Sequence, residues 1–173
     1  VCENRARLLK HGFGDTDFAY PYGSGWHDST IRQIVQSCGY NSARGAWGLA
    51  GGDCTTCTAY AETAPPKDLW AIRTAPEPQS TTTLDQIESF VTSAETHGGG
   101  WVILTFHHIC DGCDQYSTPQ ATLQAFLDWL KPRSATGTTV KTVNQVIGGA
   151  VKPSPGTADT TAPASSVSCN GGA

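Results

Sequence analysis

The stretch Gly100, Trp101, Val102, Ile103, Leu104, Thr105, Phe106, His107, His108, Ile109 restricts the fold of this chain more than any other segment. It is a continuous apolar run, bounded upstream by the glycines at 98–100, and it ends in two adjacent histidines. A run of this kind predicts a strand over residues 101–106, buried on both faces of a parallel sheet. In α/β folds the chemistry collects where such strands end, with polar groups poised over a cleft. His107 and His108 stand at that kind of end and are the first candidates for function.

Elsewhere helical and extended patterns alternate. Leu8 and Leu9 with Cys2 and Arg5 predict a first helix that stops near Gly12, and residues 17–21 read as a short strand leading into a turn at 22–25. Ile31, Ile34, Val35 and Cys38 recur at helical spacing behind the capping residues Asp28 and Ser29, with Gly39 as the stop. Residues 40–44 and 70–73 are further strand candidates. Thr83 and Gln86 form a capping box ahead of Leu84, Ile87, Phe90, Val91 and Ala94, so that helix runs to about His97. Thr118 is expected to cap a helix that has Pro119 at its first position and Leu123, Phe126, Leu127 and Leu130 along one side. A last strand is expected at 139–143, then a short helix at 144–147. Together these predict an α/β fold with a parallel sheet or barrel.

The composition excludes several classes. An apolar content of 38% suits one folded domain, and a net charge of -4 carries no electrostatic footprint for nucleic acid. The apolar run at 101–106 is far shorter than the roughly 20 residues needed to cross a bilayer, so no membrane span is expected. Residues 1–152 are read as one domain, and 153–173, rich in Pro, Ser, Thr, Gly and Ala, as a linker and the start of a further β-sandwich module. The chain contains no methionine and opens in a helical pattern, so further sequence is expected upstream, where any signal peptide would lie.

Seven cysteines are many for a cytosolic enzyme of this size. Cys54/Cys57 and Cys110/Cys113 are both C-x-x-C pairs, which fits a four-thiolate zinc site, a redox dithiol or disulfides. The stretch between the pairs holds a helix and a strand, longer than ribbon-type zinc sites use. Structural disulfides are therefore expected, with Cys2 and Cys38 able to pin the first two helices if they face each other. Cys169 is left over and is expected to pair outside the chain.

Phe18-Ala19-Tyr20-Pro21-Tyr22-Gly23, the helix ending Cys38-Gly39-Tyr40, and Ile103-Leu104-Thr105-Phe106-His107 together resemble the polysaccharide deacetylase family, or NodB homology domain. The resemblance covers roughly residues 1–152 and implies the C-terminal portion of a deformed (β/α) barrel. It further implies a secreted or cell-wall-associated hydrolase that removes N- or O-linked acetyl groups from a polysaccharide, using a divalent metal, commonly zinc, held by an Asp and two His. The early motifs that carry those ligands in the family do not occur here, so the ligands are expected outside this chain. Tyr22 matches the family's backbone oxyanion donor, and His107 matches the general acid that protonates the leaving amine. Tyr20, Pro21, Arg73 and His108 are the implied substrate-side residues. Two positions depart from the family: Ala19 stands where many members carry Arg, for which Arg73 is the expected substitute, and His108 stands where most carry Asp.

Plainer readings accompany each of these. The two histidines are also consistent with polar residues closing a buried strand, and Arg73 with a salt-bridged structural residue. Trp26 and Trp47, in glycine-rich loops, are either platforms for sugar rings or aromatics capping the core. Two other functions stay open, a non-catalytic glycan-binding relative of the same fold and a cysteine-rich zinc-binding structural module.

Overall fold

The computed structural model describes residues 1–51 and 54–156. The expected linker after 156, the β-sandwich module and Cys169 lie outside the described residues. Helix α1 spans Cys2–Lys10 and leads to strand β1 at Asp17–Ala19 and a 3-10 turn at Pro21–Gly23. Helix α2 (Ser29–Ser37) follows, started by the Asp28 carboxylate, which accepts from the N–H groups of Thr30 and Ile31. Strand β2 covers Ser42–Gly48 and β3 Ile72–Thr74. Helix α3 (Leu84–Thr96) has the complete Thr83/Gln86 capping box. Then come β4 (His108–Ile109), β5 (Ser117–Thr118), helix α4 (Gln120–Leu130) and the short helix α5 (Val143–Ile147).

Strands β1, β2 and β3 form a parallel sheet in that order, with Asp17 opposite Ser42, Phe18 opposite Ala43 and Ala19 opposite Arg44. The described residues close no barrel. One side of the sheet is packed by Tyr20, Val35, Cys38, Tyr40 and Ala43, joined by Phe18, Trp26 and Trp70. A second cluster, Ile87, Val91 and Phe126 with Leu84, Leu104, Phe106, Trp129 and Leu130, binds α3 and α4 to the 101–106 run. No described helix is long and apolar enough to cross a membrane.

The 101–106 run departs from the expected buried strand. Residues 101–106 form no regular strand and are half-buried throughout. They join the structure through a two-way bridge between Trp101 and Glu62 and one hydrogen bond from the Ala75 N–H to the Ile103 carbonyl (3.0 Å). The reason is one-sided cover: Leu104 and Phe106 face the helices, whereas Trp101 and Ile103 line an open cavity on the other side of the sheet. The expected strand at 139–143 is also absent, because the Thr142 side chain accepts from the Gln145 N–H and starts α5 instead. Thr118 belongs to β5 and leaves the start of α4 to Pro119. On α2, Val35 is buried as expected but Ile31 and Ile34 are exposed, so only part of its apolar stripe meets the core.

All six expected partner cysteines are paired, as Cys2–Cys38, Cys54–Cys57 and Cys110–Cys113. The first joins α1 to the end of α2. Arg5 reinforces that junction from a fully buried position, donating to the carbonyls of Cys38, Gly39, Asp15 and Lys152.

Candidate functional site

The exit of β1, strand β3 and the end of the 101–106 run supply Tyr20, Pro21, Tyr22, Arg73, His107 and His108. At the exit of β1, Tyr20 turns into the core, 3% exposed, and its hydroxyl donates to the Trp70 carbonyl (3.1 Å). Burial pushes its pKa up. Its ring is therefore part of the packing and not a substrate contact. Pro21 starts the turn, and the N–H groups of Gly23 and Ser24 close it on the carbonyls of Tyr20 and Pro21. Tyr22 sits at the apex in the left-handed region (φ 55°) with its side chain 96% exposed. A non-glycine residue held there costs energy that the surroundings must impose. They do so at Gly23, where a Cβ would stand 3.0 Å from the Ala46 methyl, so turn and β2 meet closely.

Arg73, expected to orient the catalytic centre, is committed elsewhere. Its guanidinium makes a two-point pair with Glu62 (Nε to Oε1 2.7 Å, Nη2 to Oε2 3.1 Å), and its backbone N–H donates to the same carboxylate at 2.9 Å. The hydrogen bond it donates to Glu62 raises the arginine's pKa. The cation beside Ala19 is Arg44, its direct partner across β1 and β2, whose Nη1 donates to the Gly45 carbonyl (3.1 Å). It lines the open cavity with Asp17, Ala19, Ser42, Ile72, Trp101 and Ile103. Burial lowers its pKa, an effect opposed by the charge of Glu77. Sequence reasoning missed Arg44 because nothing in the chain announces which arginine will lie opposite Ala19; only register does.

His107 is partly exposed, with Nε2 3.6 Å from Glu77 Oε2 and its ring 5.3 Å from that of Tyr116. His108 is more exposed and engages Asp114 through Nδ1. Each histidine thus has its own carboxylate, and neither partner was foreseen. Glu77 lies just beyond the end of β3, and Asp114 is brought back by the β4–β5 pairing.

The two tryptophans separate. Trp26 lies flat on the backbone of Gly45, where a Cβ would come within 2.3 Å of its ring, so it is a packing residue. Trp47 is half exposed at the irregular end of β2, in the left-handed region (φ 64°), with its N–H bonded to Thr74 Oγ1 at 2.8 Å. Among the described residues, the group of side chains able to approach a metal ion together is His108, Cys113 and Asp114. That group does not fit an Asp-and-two-His set, and the Cys113 sulfur is bonded to Cys110. Compared with protein-family models, curated proteins and solved structures, the chain matches none.

Proposed function

We propose that the chain is part of a metal-dependent hydrolase of the polysaccharide deacetylase type, removing N- or O-linked acetyl groups from an extracellular or cell-wall glycan. The deformed barrel belongs to the same proposal, with the metal ligands supplied from sequence outside these residues. The observation that carries it is that the Tyr22 turn directly follows β1 and His107 directly follows the 101–106 run, and that residues of both segments line one open cavity. Trp101 and Ile103 line that cavity, and His107 follows Phe106 at the end of the same segment. No described acceptor bonds the Tyr22 N–H, which leaves it to donate to the oxyanion of a tetrahedral intermediate, a role worth about 2.7 to 4 kcal/mol. His107 then protonates the departing amine, which does not leave as an anion. Arg44, in place of the Arg73 expected from sequence, supplies the positive charge beside Ala19. Three disulfides accord with an oxidising compartment, and secretion follows as part of the proposal.

Acetate release by the full-length protein from chitin oligomers, peptidoglycan and acetylated xylan tests this. Release from at least one glycan, abolished by His107→Ala, is the expected result. No release from any of them, or release indifferent to His107, overturns the reading.

A further inference from the structure

We infer that the loop His108–Asp114 is a redox-gated cation site, closed while Cys110 and Cys113 are bonded to each other and able to take one zinc-class divalent ion once they are reduced. It is independent of the hydrolase reading and uses residues that reading does not need for chemistry.

The donor atoms of His108, Cys113 and Asp114 already lie within 4.8 Å of one another. The second sulfur, that of Cys110, lies outside this 4.8 Å group but is held next to it by its bond to Cys113, and would have to turn in by a side-chain rotation once that bond opens. Two thiolates at C-x-x-C spacing, one imidazole and one carboxylate make a four-donor set suited to a borderline-soft tetrahedral ion such as zinc. The scaffold is fixed independently of the disulfide. The His108 N–H donates to the Tyr116 carbonyl (3.2 Å) and the Cys110 N–H to the Thr118 carbonyl (3.0 Å), so β4 and β5 hold both ends of the loop. Asp114 is aimed by the Tyr116 N–H on Oδ1 (2.7 Å). Gly112 (φ 67°) makes the reversal between the two cysteines. His108, Cys113 and Asp114 are all exposed, so reductant and ion reach them.

In the bonded state neither sulfur carries charge, and one imidazole with one carboxylate is a poor cation site. A dithiol reductant changes this. The S–S bond breaks, two electrons and two protons pass to Cys110 and Cys113 as thiols, and the reductant closes to its own disulfide. A divalent ion then displaces both thiol protons into water.

The test uses the whole chain with Cys54→Ser, Cys57→Ser and Cys169→Ser, titrated with cobalt(II) without oxygen, before and after phosphine reduction. Expected is a thiolate-to-cobalt charge-transfer band at one equivalent in the reduced protein only. Cys113→Ser abolishes it, and His108→Ala weakens binding at least about tenfold. Circular dichroism reports folding throughout. The inference fails if the reduced, folded protein shows no such band, if His108→Ala binds equally well, or if reduction unfolds the chain, since the β4–β5 scaffold is part of the site.

Discussion

His107 and Glu77 meet at 3.6 Å, Nε2 to Oε2, across the gap between the end of the 101–106 run and the segment leaving β3. The distance is too long for a direct hydrogen bond and leaves the two groups in an ion-pair contact only. If His107 delivers the proton, His107→Ala in the full-length protein lowers kcat by about 100- to 10,000-fold with bound metal unchanged. Glu77→Gln, which removes only a partly screened charge, lowers kcat by no more than about fivefold. His108→Ala costs much less than His107→Ala. Steady-state kinetics with metal analysis of each variant decides it, and a larger loss at His108 would put the acid on the other histidine.

Arg44 and Arg73 are predicted to part ways under the same substitution. Arg73→Gln strands the Glu62 carboxylate, only 6% exposed, and is expected to lower unfolding free energy by about 1–3 kcal/mol. Arg44→Gln removes a half-buried cation whose charge burial already disfavours, so stability holds, while turnover falls by at least about tenfold if this guanidinium positions the reacting groups. Urea unfolding and acetate-release kinetics on both variants separate the roles. Equal effects on both measures would remove the distinction.

The local signals in the chain were legible and the pairings were not. Asp28, the Thr83/Gln86 box and Gly39 locate α2 and α3 because capping chemistry is written in adjacent residues. The apolar run at 101–106 predicts a strand buried on both faces, whereas the structure forms no regular strand there and covers one face only. Apolarity records what a segment can bury, while what covers it depends on neighbours distant in sequence. The same limit hid Arg44 beside Ala19, Glu62 beneath Arg73 and Glu77 beside His107. The pattern of the Tyr20–Gly23 segment points to a turn but does not separate the buried ring of Tyr20 from the exposed one of Tyr22.

Glu95 gives the fold an acid-sensitive link. Hydrogen bonds from Arg133 (Nη2 to Oε2, 2.6 Å) and Thr138 (2.6 Å) hold its carboxyl below the ordinary range and tie α3 to the segment after α4. A carboxyl depressed in the folded state stabilises above its unfolded pKa, and the contribution disappears as pH falls through the folded value. Stability measured from pH 6 down through that range should therefore decline less steeply in Glu95→Gln than in the parent chain. Parallel curves would show that the link carries no proton-coupled stability.

Unpaired surface should make the isolated chain self-associate. Among the described residues β1 has no partner on its outer edge, the 101–106 run is covered on one face only, and Ile31 and Ile34 stand exposed on α2. Open edges and uncovered apolar faces favour pairing between copies. Light scattering after size exclusion is expected to give masses above the 18.2 kDa monomer that rise with concentration. A single monomeric species across that range would mean that these faces are already satisfied.

Arg5 should be the most costly charged residue to replace. Its buried guanidinium donates to Cys38 (3.0 Å), Gly39 (2.9 Å), Lys152 (2.8 Å) and Asp15, and lies 4.7 Å over the ring of Tyr40. It thereby ties α1 to the end of α2 and to the chain beyond α5. Arg5→Met fills much of the volume but leaves several carbonyls without donors, a loss of about 3 kcal/mol or more. For a chain of this size that corresponds to a Tm lower by roughly 6–12 °C. Arg5→Lys should recover little, because a compact ammonium with three donors does not span the carbonyls that the planar fork reaches. Exposed Lys10 on the same helix is the control, and Lys10→Met should stay within about 0.5 kcal/mol of the parent. Thermal unfolding of the three variants under non-reducing conditions checks this, since the Cys2–Cys38 bond must stay intact for Arg5 alone to be read. An Arg5→Met protein melting with the parent would mean that those carbonyls are satisfied by water and that the disulfide alone holds the junction.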